Sequence, residues 1–111
     1  MGLPVIDKNI SADDLDKMAA NAKLAAGFLK AISHEGRLMI LCYLASGEKS
    51  VTQLEALLSA RQAAVSQQLS RLRREGLVTP RRDGKTIYYS LADDRSEKIM
   101  EVVYDLFCKE D

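Results

Sequence analysis

The sequence predicts a mainly α-helical winged helix-turn-helix domain of the α+β class, with elements in the order α-α-α-α-β-β-α. Three observations favour this fold: two short amphipathic helices joined by a tight break, a β-hairpin directly after them, and a longer apolar helix on either side of that unit. We place the helix-turn-helix at about 52–75, the wing at about 77–91 and the outer helices at about 12–32 and 95–108. We treat residues 1–111 as one domain.

The two helices before the helix-turn-helix are marked by their starting residues. Ser11 is a candidate N-cap, and Asp13 and Asp14 follow in the first turn, where the helix dipole favours anions. A second helix is expected to begin near His34, the only histidine, and to end at Gly47. Apolar residues recur at helical spacing through both segments.

The first helix of the helix-turn-helix is short and apolar. It is expected to run from about Gln53 to Leu58, and the Thr-x-x-Glu spacing of Thr52 and Glu55 predicts a capping box at its start. A tight break follows at 59–61. Two short helices that cross at such a break form a helix-turn-helix.

The second helix is expected to be the recognition helix. Val65, Leu69 and Leu72 share one face, whereas the opposite face is polar and has Glu75 as its single acid. An ordinary solvated helix usually mixes both signs, so we favour insertion into a DNA major groove, where Gln pairs with adenine and Arg with guanine. The residues predicted to contact DNA from this helix are Gln62, Ser66, Gln67, Gln68, Ser70, Arg71 and Arg73.

The segment after this helix predicts a basic β-hairpin. Asp83 and Gly84 lie between two β-prone runs, and glycine suits the tight turn because it accepts positive φ. Arg81, Arg82 and Lys85 gather at the tip and are predicted to contact DNA. A plain surface hairpin would explain the turn but not the clustered cations, so we interpret the hairpin as a wing over the sugar-phosphate backbone or in the minor groove.

Overall neutrality conceals a segregated charge. Residues 61–85 carry seven Lys and Arg against two acids, a net charge of +5, whereas residues 92–111 carry three against seven, a net charge of −4. Such a basic face can displace phosphate counterions although the chain is neutral. The acidic end is expected to lie away from nucleic acid.

Composition excludes several other classes of protein. No apolar run approaches the roughly 20 residues of a membrane span, and the N-terminus lacks a secretory signal, so we expect a cytoplasmic protein. With a single histidine, no hydrolytic centre can be assembled. We expect a protein that is not an enzyme, needs no cofactor and binds double-stranded DNA.

The outer helices are additional to a minimal winged helix. Each is long and apolar along one side. Such helices either pack on their own core or form a twofold interface, and we favour a homodimer whose two recognition helices read a palindrome about one DNA turn apart.

The motifs taken together cover most of the chain. They comprise His34, Arg37, Leu38, Ile40 and Leu41; Val51–Leu54; Ala64–Gln67 with Leu69 and Leu72; Gly76–Val78; and Arg81–Lys85 with Tyr88, Tyr89 and Leu91. This combination resembles the ArsR family of bacterial repressors, which implies a dimeric winged helix that leaves its operator when an inducer binds. Two departures are Arg61, where many members have Ser, and Gln68, where many have His.

The ligand inventory bears on what is sensed. The Cys-x-Cys metal pattern is absent from 53–58, the last helix has no histidine, and His34 is interpreted as a helix-start or core residue, so no metal site is expected. Cys42 and Cys108 remain. Either can be a buried apolar residue, although an accessible Cys108 and a partly buried Cys42 also suit an attacking and a resolving thiol.

The placement of these cysteines resembles the sulfide- and persulfide-responsive branch of the family. That resemblance implies a thiol sensor at Cys42 and Cys108, in which persulfides or other oxidants form a disulfide or polysulfide bridge and release DNA upstream of sulfide detoxification genes. Two alternatives stay open: a repressor that senses a metal or metalloid, and a thiol-disulfide oxidoreductase. The latter is disfavoured because the cysteines do not form a Cys-x-x-Cys turn.

Overall fold

The computed structural model describes residues 8–59 and 62–109, and it confirms the predicted mainly helical winged helix. A two-residue strand before the helix-turn-helix and a terminal π-helical turn are additions to the predicted order. The elements are α1 (Ala12–Ile32), α2 (Glu35–Ala45), β1 (Lys49–Ser50), α3 (Val51–Leu58), α4 (Gln62–Arg74), β2 (Val78–Asp83), β3 (Thr86–Leu91), α5 (Asp94–Val103) and the π-turn (Tyr104–Cys108).

The starts of α1 and α2 agree with the sequence prediction. The Ser11 hydroxyl accepts a hydrogen bond from the backbone N–H of Asp14 at 3.1 Å. The imidazole Nδ1 of His34 accepts one from the backbone N–H of Gly36, also at 3.1 Å, so this histidine is a helix cap. Both caps satisfy N–H groups that have no partner within the helix.

The predicted capping box of α3 was wrong by two residues. Ser50 Oγ accepts from the N–H of Gln53 at 3.1 Å, and Gln53 Oε1 accepts from the N–H of Ser50 at 2.8 Å. The helix therefore begins at Val51, and Thr52 and Glu55 lie within it. Both pairs fit the capping pattern. An N-cap residue needs an extended backbone, and Ser50 has one because it also pairs with Tyr88 in the sheet.

The sheet is antiparallel, with strand order β1-β3-β2. Two residues of β1 give too short a pattern to be recognised from sequence, because alternation needs several residues to show. β2 lies at an edge, and this tolerates Pro80, which has no N–H for a further strand. The hairpin turns at Gly84, whose φ is +63°.

The core lies beneath the helix-turn-helix. Its buried apolar residues are Ala31, Ile32, Ile40, Leu41, Leu44, Leu54, Val65, Leu69, Leu72, Leu77, Val78 and Met100. Of the 21 residues in α1, only the last two are buried. Most of α1 therefore stands outside the core of a single chain.

The last helix is tied to the wing, but the sequence prediction of a helix to about residue 108 was wrong in its final turn, because the α-helix ends at Val103. Ser96 is fully buried and donates a hydrogen bond from Oγ to the Leu77 carbonyl at 3.0 Å. After Val103 the chain widens into the π-turn, and the N–H of Lys109 bonds the carbonyl of Tyr104 at 2.9 Å. Apolar spacing alone does not distinguish an α-helix from one wider turn.

Candidate DNA interface and dithiol site

The recognition helix α4 has the amphipathic arrangement that its sequence predicts. Val65, Leu69 and Leu72 are at most 1% exposed, so they fix one face of the helix in the core. Four of the side chains predicted to contact DNA are exposed on the other side: Ser66, Gln67, Ser70 and Arg73. The side chain of Gln62 and the whole of Arg61 lie outside the described residues.

Gln68 differs from its neighbours because its amide is engaged within the fold. Arg37 Nη1 donates to Gln68 Oε1 at 3.2 Å, and Arg37 Nε donates to the carbonyl of Ala31. One guanidinium thus joins the end of α1, the start of α2 and the middle of α4. Gln68 is half-buried, and its NH₂ group is the part of the amide that this contact does not use.

Arg71 is also held within the fold. It pairs with Glu75 across one turn of α4 at 3.7 Å, and both side chains are about one-third exposed. Its Nε is buried and lacks a hydrogen-bond partner among the described residues. Part of its charge is therefore already matched before any phosphate approaches.

Arg81 is the wing cation with the most partners. Its guanidinium makes two hydrogen bonds to the Glu48 carboxylate, at 2.7 and 2.9 Å, and lies 4.8 Å from the centre of the Tyr88 ring. The hydrogen bond from Arg81 holds the pKa of Glu48 below its ordinary value. The pairing requires the β1-β3-β2 sheet, so the sequence did not indicate it.

Four cations near the interface remain without an ion pair in the part of the chain that the structure describes. They are Arg73 and Arg74 at the end of α4 and Arg82 and Lys85 on the wing, all exposed. Arg74 was not among the predicted DNA contacts, although its place in the basic run Arg71–Arg74 was a signal for it. The charge of these four side chains is therefore not offset by an acid within the described structure.

The two cysteines lie on α2 and on the continuation of α5, two helices that contact each other. Cys42 is on α2, which contacts α5, and Cys108 ends the π-turn that continues α5. Both are free thiols and both are exposed, although neighbouring groups shield the Cys42 sulfur in part. Cys42 is exposed because it lies on the side of α2 that faces a groove rather than the core.

The pKa of the Cys42 thiol is raised by two features of its surroundings. Although the side chain is exposed overall, its neighbours withdraw enough water from the sulfur that partial burial raises the pKa of the thiol. Repulsion from the Cys108 thiolate raises the pKa further. Such an influence falls with distance, and it agrees with the packing of α2 against α5.

A groove of about 480 Å³, named here the thiol groove, opens beside Cys42. Its lining comprises Cys42, Ala45, Glu97, Met100, Glu101, Tyr104 and Asp105. Apart from Ala45, these neighbours of Cys42 come from α5 and the π-turn, which are distant in sequence, so sequence reasoning did not identify them. In the described ranges, no three His, Cys, Asp or Glu side chains are grouped so that they could hold a metal ion.

A second groove, of about 530 Å³, runs between α1 and α5 and is almost entirely apolar. Leu24 on α1 is 73% exposed and Val102 on α5 is 49% exposed. Phe28 and Ile99 complete the apolar walls, and Arg95 lies over the Phe28 ring at 5.6 Å. Apolar side chains this exposed on two adjacent helices are typical of a surface that is covered in the assembled protein.

Comparison with known proteins identifies the family. A model described as "Bacterial regulatory protein, arsR family" matches residues 34–79. The biofilm growth-associated repressor of Agrobacterium fabrum is 46% identical over 94 residues, which cover 85% of this chain and 80% of that protein. The chain belongs to the ArsR family.

Solved structures agree with this ArsR assignment. Reduced HlyU from Vibrio cholerae has a TM-score of 0.81 at 39% identity, covering 84% of this chain and 98% of that one. A homodimeric winged helix-turn-helix DNA-binding domain from Mycobacterium bovis has a TM-score of 0.76 at 29% identity, covering 90% of this chain and 89% of that one. This ArsR-family chain is therefore a DNA-binding transcriptional regulator and not an enzyme. None of its helices in the described ranges is long and apolar enough to cross a membrane.

Proposed function

We propose that the chain is a transcriptional repressor that leaves its operator when persulfides or other thiol oxidants join Cys42 to Cys108. The observation that carries the proposal is the placement of two free, exposed thiols, with Cys42 on α2 and Cys108 at the end of the π-turn that continues α5, the helix against which α2 packs. The electrostatic influence of Cys108 on Cys42 agrees with this placement. The relatives add support, because one is named a biofilm growth-associated repressor and another was solved in a form described as reduced. The regulated genes, on this proposal, serve sulfide detoxification.

The raised pKa of Cys42 assigns an order to the two thiols. At neutral pH the Cys42 sulfur is mostly protonated, which makes it a poor first nucleophile. Cys108 is exposed at the end of the chain's last turn and attacks first. Its thiolate takes the outer sulfur of a persulfide RS–SH, and RS⁻ leaves. The Cys42 thiolate then attacks the inner sulfur of the new Cys108 persulfide, and HS⁻ leaves to give the disulfide.

The bridge would act on DNA binding through α2. This helix carries Cys42 and also Arg37, whose guanidinium holds Gln68 of the recognition helix. A covalent tie between α2 and the end of α5 shifts the support of α4 in each subunit. A differential of a few kcal/mol between the two states is sufficient to release an operator.

The DNA-binding form is proposed to be a homodimer through α1 and α5. The apolar groove between those helices supports this, as does the homodimeric state of the related M. bovis domain. Within it, Ser66, Gln67 and Ser70 face base edges, and Arg73, Arg82 and Lys85 face phosphates. Gln62, Gln68, Arg71 and Arg81 complete the proposed contact set, the last three with their internal partners as competitors.

The test combines intact mass with DNA binding. An operator is selected from random duplexes, and the reduced protein is treated with glutathione persulfide. We expect the mass of each chain to fall by two hydrogen atoms, or to rise by bridging sulfur, together with loss of operator binding in fluorescence anisotropy. Cys42→Ser and Cys108→Ser should bind the operator equally well and remain bound after treatment.

Two outcomes would overturn this proposal. One is release of DNA by persulfide from either single variant, because one thiol cannot form the intrachain bridge. The other is stoichiometric zinc or arsenite binding under anaerobic conditions that releases the operator while persulfide does not, which favours the metal-sensing alternative.

A further inference from the structure

The ion pair between Glu48 and Arg81 differs in geometry from the other ion pairs of the described residues. Arg81 Nη2 donates to Glu48 Oε1 at 2.7 Å, and Arg81 Nε donates to Glu48 Oε2 at 2.9 Å. Among the ion pairs in the described ranges, this one alone uses both oxygens of a carboxylate. Two such parallel hydrogen bonds occupy one edge of the guanidinium.

This ion pair spans the sheet from one edge strand to the other. Arg81 on β2 is the Cα partner of Tyr88 on β3, and Glu48 directly precedes β1. The guanidinium lies 4.8 Å from the centre of the Tyr88 ring, so it crosses β3 over that ring. Because neighbouring strands lie about 4.8 Å apart, the side chain reaches across about two strand spacings. The carboxylate and the aromatic ring together fix the guanidinium on this face of the sheet.

The wing carries its cations on both faces. Successive side chains of a strand alternate between the two faces of a sheet, so Arg82 shares a face with Val78, which is in the core. Arg81 therefore extends from the opposite face. Arg82 and Lys85 have no ion pair in the described part of the chain, whereas the charge of Arg81 is matched by Glu48.

A carboxylate and a phosphate make the same contact with a guanidinium. Both accept two parallel hydrogen bonds from its N–H groups. Glu48 thus occupies the donors of Arg81 that a DNA phosphate would use. The hydrogen bond from Arg81 also holds the pKa of Glu48 below its ordinary value, so the carboxylate is ionised at neutral pH. As part of the same chain, this competitor is always present beside Arg81.

We propose that Glu48 limits the DNA affinity of the wing by competing with phosphate for Arg81, so that Arg81 adds no net phosphate contact in the parent chain. If Arg81 moves to a phosphate, the exposed Glu48 carboxylate takes up a cation from solution, which offsets the counterion that the DNA releases. If Arg81 stays on Glu48, that counterion is not released. The inference rests on the proposed contact set for the place of Arg81 near DNA, but it does not depend on the thiol switch.

The test measures how DNA binding depends on salt. Reduced full-length protein is titrated by fluorescence anisotropy with a duplex selected from random sequences, between about 50 and 200 mM salt. Glu48→Gln removes the charge and should steepen the slope of log affinity against log salt by about 0.9, one phosphate contact. The affinity advantage of the variant over the parent should then shrink about 3.5-fold across this range, which is the fourfold change in salt raised to the power 0.9.

A double-variant cycle separates competition from a general effect of charge. Arg81→Ala should leave the slope of the parent almost unchanged but remove the slope that Glu48→Gln adds. Glu55→Gln makes the same change in net charge on α3, and its effect should be equal with and without Arg81→Ala. Glu48→Ala should match Glu48→Gln, although it leaves no side-chain acceptor for Arg81. Exposed ion pairs contribute little to stability, and thermal unfolding without DNA checks that each variant is folded.

Two outcomes would overturn the competition. One is a fall in the slope of the parent that is as large with Arg81→Ala as with Arg82→Ala. The other is a cycle in which Glu48→Gln and Arg81→Ala act additively. Arg82→Ala and Lys85→Ala distinguish this failure from a failure of the proposed contact set. If both lower the slope while the cycle is additive, only the competition is rejected, and if neither lowers it, the proposed wing contacts are rejected as well.

Discussion

Arg37 on α2 donates a hydrogen bond from Nη1 to the amide oxygen of Gln68 on the recognition helix, at 3.2 Å. The same guanidinium donates to the Ala31 carbonyl at the end of α1. Because guanidinium is planar and rigid, the two contacts set the position of α4 relative to α1 and α2. Gln68, a member of the proposed DNA-contact set, is thus aligned by a residue outside that set.

Replacing Arg37 tests this alignment. We expect Arg37→Ala to lower the free energy of unfolding by about 1.5–3 kcal/mol, the range for hydrogen bonds to charged groups. We also expect a lower ratio of operator to random-DNA affinity, because Gln68 is released. Arg37→Lys keeps the charge but cannot make both guanidinium hydrogen bonds. An unchanged ratio of operator to random-DNA affinity in both variants would show that Arg37 does not align Gln68.

Arg73 and Arg71 should differ in their effect on DNA binding although they lie two residues apart. Arg73 is exposed without an ion pair in the described structure, whereas Arg71 pairs with Glu75. Arg73→Ala should weaken binding to all sequences and reduce the slope of log affinity against log salt by about 0.9, one phosphate contact. Arg71→Ala should change the slope less. Anisotropy titrations between about 50 and 200 mM salt measure both, and equal slopes would refute the distinction.

The pKa of Cys42 should respond to its partner. Removing the Cys108 thiolate in Cys108→Ser takes away one of the two influences that raise the pKa, so the pKa should fall while staying above the ordinary value because burial remains. The measurement is the pH profile of Cys42 alkylation, followed by peptide mapping in both proteins. The thiolate fraction at neutral pH should rise in the variant. A profile that does not move would mean that the sulfurs do not interact.

The position of the α3 cap can be tested with a matched pair. Ser50→Ala removes the side-chain half of the capping box and should cost about 1 kcal/mol of unfolding free energy. Thr52→Ala lies inside the helix and should cost less. Urea titrations of the two variants compare them directly. A larger loss from Thr52→Ala would place the cap where the sequence pattern predicted it.

The apolar groove between α1 and α5 should control assembly. Leu24→Glu puts a charge on the most exposed part of that groove and should convert the proposed dimer to a monomer in sedimentation velocity. Operator affinity should fall with it, because two half-sites are then bound independently. Met39→Glu is the control, since Met39 is similarly apolar and 43% exposed but lies on α2. Dimerisation of both variants would contradict the proposed interface.

The parts of the fold that were predictable from the sequence are those with several repeats of a pattern. Val65, Leu69 and Leu72 recur over two turns of α4, and all three are buried. The parts that were not predictable depend on contacts between distant residues. β1 has only two residues and exists because it pairs with β3, and this pairing moves the α3 cap to Ser50.

The candidate site divides in the same way. Residue type and spacing indicated the cations of the wing, but they could not indicate that Arg81 is engaged by Glu48, 33 residues away in sequence. They placed both cysteines on neighbouring helices but not the acidic groove beside Cys42, which needs the packing of α2 on α5. Charge pairing and groove shape arise only once the helices are packed.

In the proposed sensor, the position of the Cys108 sulfur depends on the number of residues in the π-turn. Each residue advances an α-helix by about 100°, and the wider hydrogen bond from Lys109 to Tyr104 accommodates one residue more than an α-turn does. Deleting a single residue between Tyr104 and Cys108 would restore ordinary winding and swing the terminal sulfur by roughly that angle. If the proposed switch operates, the loss of one codon would abolish its response while both cysteines were still present.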